Sequence, residues 1–366
     1  MTALPACAAP EPRGATVGAC LEPEAPAALL ETPVVHRTHT EVLMQVLERE
    51  ASPAATVDSD SAPPPRVWPQ RTFTAVLLIA PAVALGVIFS RVLSDGLAWQ
   101  DILIAGVFYL VIGHGVSVGF HRLFTHRSFE ARRPLKITLA LLGSLSLQGS
   151  LIGWVAEHRR HHMFTERPGD PHSPVRPSTQ RFGRLRGLAH AHVGWLFETG
   201  NAPPQRFAPD LLADRDIVII DRLFIPFAVL TLLLPFGLGY AITGRLSGAV
   251  ALFLWAGVLR VGLLHHVTWA TNSLCHTFGR RPFETRDASR NLAPLAFLSM
   301  GEAWHNAHHA FPSLARHGVD AHQLDTSAML IRIFERMGWA TQVRWPDPIR
   351  LATRRVVPLP TPHATR

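Results

Sequence analysis

"ITLALLGSLSLQGSLIGWVA" (137–156) is a charge-free run of 20 residues, and "EHRRHH" (157–162) follows it directly. At about 1.5 Å of rise per residue a helix of that length would reach across a bilayer. Whether it does so decides the fold. A second histidine motif, "HRLFTH" (121–126), lies just before the run. If the run crossed, the two motifs would stand on opposite faces and could not share a site. The run also carries Ser144, Ser146, Gln148 and Ser150, which are awkward in lipid. It is therefore read as a helix lying in the interface, or dipping in and returning.

Four further apolar stretches surround it. "FTAVLLIAPAVALGVIF" (73–89) contains no charge, and a second charge-free stretch runs from Ile102 to His121. A third spans Leu223 to Gly244, and the last starts at Leu246 and is interrupted by Arg260. Four crossings in two hairpins leave both termini on one side. Arg71, Arg122, Arg127, Arg132, Arg133, Arg159 and Arg160 flank these stretches. That placement marks the cytoplasmic side by the excess of positive charge there, rather than a nucleic-acid face, despite the net charge of +8. Hydrophobic residues make up 48% of the 366-residue chain and charged ones 17%, against roughly a quarter in soluble domains, as an integral membrane protein requires.

Residues 1–68 are rich in Ala and Pro and read as a disordered tail, 69–345 as the functional domain, and 346–366 as a C-terminal tail. Cys7, Cys20 and Cys275 show no paired spacing, which excludes a disulfide scaffold or a cysteine-based metal site.

The chain has 20 histidines, and their placement matters more than the number. His121 and His126 form one motif, His158, His161 and His162 a second, and His305, His308 and His309 a third, in "HNAHH". On a helix, HxxHH sets its residues about 300° and 400° around from the first, a fan on one face aimed at a common point. Neutral imidazoles so arranged suit a transition metal, and eight of them exceed what one metal can take, so two metals are implied. Thr268, Asn272 and His276 recur at i, i+4 and i+8, which adds His276 to the set. HExxH is absent, as is a GxGxxG after a strand, so a zincin peptidase and a nicotinamide or flavin site of that type are excluded. The fold expected is an all-α integral membrane protein. Four transmembrane helices and an interfacial helix are capped by a cytosolic helical domain that holds a di-metal site.

The set HxxxxH, HxxHH, HxxHH, with "DPH" (170–172), "HVGWLF" (192–197), "TNSLCHTFGRRPF" (271–283) and "GEAWHNAHHAFP" (301–312), resembles the membrane fatty acyl desaturases of the stearoyl-CoA Δ9 type. The resemblance covers roughly residues 70–345. It implies a non-haem di-iron centre ligated by His121, His126, His158, His161, His162, His276, His305, His308 and His309, with Asn272 holding one iron through water. It implies O₂ as co-substrate and a cis double bond, at Δ9, in a saturated acyl chain. Gln148, Trp154 and Thr268 match the residues that enclose the bend of the substrate tunnel, and Tyr109 matches a tyrosine near its end. Phe120 replaces a small residue before the first histidine, which predicts a narrowed tunnel and a bias against the longest chains. Asp170 and Glu302 are expected to orient imidazoles from behind.

The basic residues that anchor CoA in the animal enzymes are missing around the second motif and after "GWLF". The carrier is then CoA held by other arginines (Arg184, Arg186, Arg260), an acyl carrier protein, or a lipid. Electrons are expected from a separate carrier, ferredoxin or rubredoxin with an NAD(P)H reductase, since no fused haem domain is present. The bilayer is the other expected partner, and the location a cell membrane with site and termini cytoplasmic. The alternatives are a membrane di-iron acyl or alkane hydroxylase and, from another class, a histidine-rich metal transporter.

Overall fold

The computed structural model describes residues 67–174, 183–198 and 202–356; the expected N-terminal tail, up to residue 66, and residues 357–366 lie outside them. Two apolar helices open the described chain, α1 (Val67–Asp95) and α2 (Trp99–His114), joined by a turn in which Gly96 takes φ 83°. α2 runs on as a π-helical segment, Gly115–Thr125. After a two-residue strand β1 (Glu130–Ala131) come α3 (Arg133–Ser144), α4 (Leu151–Phe164), α5 (Gly183–His192) and α6 (Arg215–Arg222). The second hairpin is α7 (Phe224–Thr243) and α8 (Leu246–Leu252), turned at Gly244 with φ 65°. α8 continues through a π segment (Phe253–Leu259) into α9 (Arg260–Ser273) and a 3-10 turn (Leu274–His276). The cap closes with α10 (His305–Ala310), α11 (Thr326–Arg336), β2 (Ala340–Thr341) and α12 (Pro348–Ala352).

Four of these helices are long and apolar enough to cross a membrane: Arg71–Asp95, Trp99–Thr125, Phe224–Thr243 and Leu246–His276. They are not equivalent. In the first and third only 22% and 17% of the apolar window is buried, with Ile79, Val83, Ile225 and Leu233 facing outward as lipid-facing side chains must. In the second and fourth the shares are 50% and 39%, so these two form the inner pair; His121 lies in the last turn of the second and His276 ends the fourth.

The third apolar run is not one helix. It breaks into α3 and α4 at residues 145–150, where Leu147 (φ 65°) and Gly149 (φ 104°) adopt left-handed backbone. The break is stable because its polar groups are met from other elements. Ile152 N donates to Asp221 Oδ1 on α6 (2.7 Å), and Ser150 Oγ accepts from Gly153 N, which together cap α4. From the fourth span, Arg260 Nη1 reaches Leu145 O (3.4 Å) and His265 Nε2 reaches Leu147 O (3.1 Å). α3 lies against the π segment at van der Waals contact, and a Cβ on Gly115 would overlap the Gly143 backbone.

The C-terminal segment is not a tail through residue 356. Leu351 of α12 packs with Phe283, Ala307 and Phe311, and residues Phe283 and Arg355 form an antiparallel bridge. β1 pairs with β2 in the register Glu130↔Thr341, tying the end of the first hairpin to the cap.

Candidate metal centre and its cavity

His121 and His126 are five residues apart. On an α-helix that spacing would turn them well away from each other. The π segment corrects it: His126 N donates to His121 O (3.1 Å), the i→i+5 bond of a π turn, and the two rings lie 4.8 Å apart.

The HxxHH motifs do not each aim at one point, as the simple fan predicts. On α4, His158 and His162 join His121 and His126, whereas His161 turns to the other group. On α10 the same split occurs in reverse: His305 and His309 face the second group and His308 crosses to the first. The result is one cluster of His121, His126, His158, His162 and His308, and another of His161, His276, His305 and His309. In each, the ring nitrogens lie within 4.8 Å of one another. Each motif thus gives its i and i+4 residues to one cluster and its i+3 residue to its neighbour.

Carboxylates fix several rings from behind. Asp170 accepts from His161 Nδ1 (3.0 Å), Glu166 from His276 Nδ1 (3.0 Å) and Asp287 from His309 Nδ1 (2.8 Å). His121 Nδ1 stands 2.6 Å from Glu302 Oε2. Since an ionised carboxylate only accepts, each of these rings carries its proton on Nδ1 and turns the Nε2 lone pair inward. Glu302 is itself held by Arg122 (3.2 Å), which also pairs with Asp325 (2.9 Å), and by Ser117. Asp170 and Glu302 therefore stand where the sequence expected them. Glu166 and Asp287 were missed, because neither has a spacing that links it to its histidine; the loops alone bring them there. His317 and His172 were also passed over. His317 Nδ1 lies 3.1 Å from Glu302, and His172 stacks on His161 at 4.2 Å.

The donor set fits metal. His308 Nε2 is 2.9 Å from His162 Nε2 and 3.2 Å from His121 Nε2, while His162 Nε2 is 3.1 Å from His158 Nε2 and His276 Nε2 is 3.0 Å from His305 Nε2. Lone pairs so placed repel unless a cation lies among them. Two nitrogens bound side by side at about 2.1 Å from one metal stand about 3 Å apart. Buried Nε2 atoms of His126, His161 and His309 have no hydrogen-bond partner among the described residues. Burial holds His126, His158, His162, His305, His308 and His309 well below the usual imidazole range, and neighbouring imidazoles push the same way, so all are neutral imidazoles, the form a metal would need. Burial alone would raise Asp170 and Glu302, but the adjacent imidazoles, with Arg122 at Glu302, outweigh it and keep both carboxyls below their usual range.

A cavity of about 1440 Å³ adjoins the clusters, reached by His121, His158, Asn272, Glu302 and His305. Gln148, Trp154 and Thr268 line it and are joined to one another: Gln148 Nε2 donates to Thr268 Oγ1 (2.9 Å), and Trp154 Nε1 donates to Gln148 Oε1 (3.2 Å). Gln148 comes from the break between α3 and α4, Trp154 from α4 and Thr268 from the fourth span, so the break is what brings the three together.

Phe120 does not line the cavity. It is fully buried behind Trp154 (ring centroids 5.7 Å) with its edge in the notch at Gly143. Tyr109 is likewise behind the wall, its hydroxyl donating to Leu298 O (2.7 Å). Of the arginines considered for a carrier, Arg260 is buried, bonding to Ala256 O, Thr231 and Leu145 O, so it is not available for phosphate; Arg184 and Arg186 lie on the exposed side of α5.

The fatty acid desaturase family profile matches residues 97–328. Over 234 residues the chain is 42% identical to the hex-5-enoyl-[acyl-carrier protein] acetylenase of Moorena producens (strain JHB), covering 63% of this chain and 73% of that protein. It is 38% identical over 253 residues to Delta-9 acyl-lipid desaturase 1 of Arabidopsis thaliana, covering 68% and 77%. With the sn-1 stearoyl-lipid 9-desaturase of Anabaena variabilis the identity is 33% over 267 residues, covering 72% and 90%.

Proposed function

The chain belongs to the fatty acid desaturase family, an oxidoreductase of lipid metabolism, and we propose that it introduces a cis Δ9 double bond into a saturated acyl chain at a histidine-ligated di-iron centre. The observation that carries this reading is the hydrogen-bonded trio Gln148–Trp154–Thr268 lining the cavity into which histidines of both clusters open. An alkyl chain offers no polar handle, so position along it must be set by the shape of its enclosure. An enclosure in which Gln148 ties Trp154 to Thr268 would fix such a shape.

His121, His126, His158, His162 and His308 would hold one iron. His161, His276, His305 and His309 would hold the other, with Asn272 reaching it through water. Irons bound there supply the activation of O₂ and the removal of two neighbouring hydrogens, with two electrons and two protons consumed and two waters formed. The residues do the rest. Asp170, Glu166, Asp287 and Glu302 keep the imidazoles oriented and Trp154 stacks on His158 at 5.0 Å. The apolar walls exclude water from the reacting carbons.

The carrier is an acyl-CoA or acyl-carrier-protein thioester: Arg160, Arg167 and Arg206 line the same cavity and suit a phosphorylated carrier. Relatives include an acyl-carrier-protein acetylenase and acyl-lipid desaturases. A separate one-electron carrier, ferredoxin or rubredoxin with an NAD(P)H reductase, supplies the electrons. Four crossings would leave both termini on one side of a cell membrane, and the arginines that flank the apolar stretches favour the cytoplasmic side for them and for the site.

Expression in a bacterial host beside a His305→Ala control, with double bonds mapped by mass spectrometry, tests the reading. A cis monoene absent from the control supports it. A hydroxylated acid would move the protein to the acyl hydroxylases, and metal uptake without any oxidised product to the transporters.

A further inference from the structure

Between the fourth span and the third histidine motif the chain reads "LAPLAFLSMG" (292–301), a stretch without a charge. It forms no long helix: a 3-10 turn (Ala293–Leu295) runs on through further turns to Gly301. Two spans place this apolar stretch at membrane depth. On the second span, Tyr109 donates its hydroxyl to Leu298 O (2.7 Å), and Met300 Cε fills the room that Gly113 leaves, where a Cβ would overlap it. Tyr109 and Gly113 lie about 12 and 18 Å along the helix from Asp101, where the charge-free stretch of that span begins. Met300 also packs with Tyr109, Ile112 and Leu264, and Leu145 packs against that group. Leu145 O accepts from Thr231 Oγ1 (2.6 Å), and Thr231 stands about 13 Å into the third span from Arg222, the last charge before it. A hydrocarbon layer about 30 Å thick contains both levels.

Irregular backbone at that depth needs its polar groups met by protein. Five N–H groups between Leu295 and Gly301 donate to carbonyls of the stretch itself, and Pro294 has none to place. Tyr109 meets Leu298 O, and Ser327 N donates to Met300 O (3.3 Å). The side chains then divide. Met300 is buried, whereas Phe297 is 56% exposed and does not line the cavity, so its ring faces outward. Leu103, Val107 and Leu110 are exposed on the neighbouring span, and the turn extends that apolar outer surface.

We propose that residues 292–301 are a re-entrant turn whose outward face, led by Phe297, is covered by the acyl chains of the bilayer. The proposal needs the four crossings and is independent of the reaction catalysed. Glu302, which stands 2.6 Å from His121 Nδ1, follows the turn directly. The lipid contact therefore anchors the stretch of backbone from which the first cluster is braced.

The test uses the full chain in phosphatidylcholine nanodiscs, with Cys7 and Cys20 replaced by Ser and buried Cys275 kept. A nitroxide is attached at Phe297→Cys, an exposed position where the label displaces no core side chain. Leu103→Cys gives the lipid reference, and Arg286→Cys, exposed on the cap, the water reference. Collisions with O₂, which dissolves in hydrocarbon, are compared with collisions with a polar nickel chelate, which does not. The O₂-to-nickel ratio at 297 is expected to match that at Leu103 and to exceed that at Arg286 by about tenfold or more, since polar groups partition out of hydrocarbon at least that strongly. A ratio nearer to the Arg286 value overturns the proposal, because the turn then faces water. Low collision rates with both reagents overturn it too, because protein then covers the face, and spin–spin broadening would identify that protein as a second copy. If Phe297→Cys does not fold, the label at exposed Ala293→Cys decides by the same criteria.

Discussion

The two histidine clusters are built differently. In the first, five imidazoles are gathered mainly by local geometry: a π turn aligns His121 with His126, a helical turn aligns His158 with His162, and His308 wedges between. Among the described residues, only His121 of these five has a carboxylate directly behind it. In the second, three of four histidines are held by acids from loops, Asp170, Glu166 and Asp287. The first cluster is therefore specified by helix pitch, and the second by tertiary placement of charge. A metal bound at the second has fewer imidazoles and depends more on what stands behind them.

That contrast can be broken most severely by removing ligands. His158→Ala leaves four histidines at the first cluster and His305→Ala leaves three at the second. Both are expected to cut desaturation by three powers of ten or more, about 4 kcal/mol of barrier. Iron per chain, measured on the purified proteins, should fall further in His305→Ala. Equal iron loss would remove the asymmetry.

Next in size are the acids. Asp287→Asn should weaken iron retention by about 10–100-fold against a chelator while leaving the melting temperature of the metal-free protein near wild type. Glu302→Gln should do both kinds of damage, because it also strips a partner from buried Arg122. If Asp287→Asn lowered stability as much as Glu302→Gln, the second cluster would be a folding element as well as a site.

Gln148→Ala removes the link between Trp154 and Thr268 and leaves every clustered histidine in place. The expected result is a mixture of double-bond positions, with the Δ9 share of product falling about tenfold relative to other isomers, roughly 1.4 kcal/mol of lost discrimination. A single unchanged position in the product fatty acids would show that the bend does not set it.

The smallest effect is on pH. Burial and neighbouring imidazoles hold His126, His158, His162, His305, His308 and His309 well below the ordinary 6.5 in the folded protein. Below pH 6.5 the unfolded chain binds protons that the folded one refuses, so stability is fully present above 6.5 and is lost as pH falls from there towards the depressed values. The melting temperature of metal-free protein should be flat above pH 7 and decline by several degrees between pH 6.5 and 5.

Much of this could be read from residues alone. The four spans follow from length and hydropathy, and the nine histidines from motif spacing plus the i, i+4, i+8 series ending at His276. The resemblance supplied Gln148, Trp154 and Thr268 before their hydrogen bonds were visible. What could not be read is how each HxxHH divides between clusters, because spacing fixes angles on one helix and says nothing about what faces it. Phe120 misled for a related reason. Its neighbour in sequence, His121, faces the cavity, and the residue before it on a helical segment points elsewhere, here into the notch at Gly143.

The sequence by itself therefore carried the solvent and the candidate chemistry: apolar stretches long enough for lipid, and imidazoles in numbers and spacings that suit a metal centre. These are sums over residue types and short periods, which need no knowledge of partners. The tertiary structure alone decided the break at residues 145–150, the acids behind His276 and His309, and the meeting of Met300 with Gly113. Each depends on groups brought together from separate parts of the chain, and no local period encodes a contact between residues 22 or more positions apart.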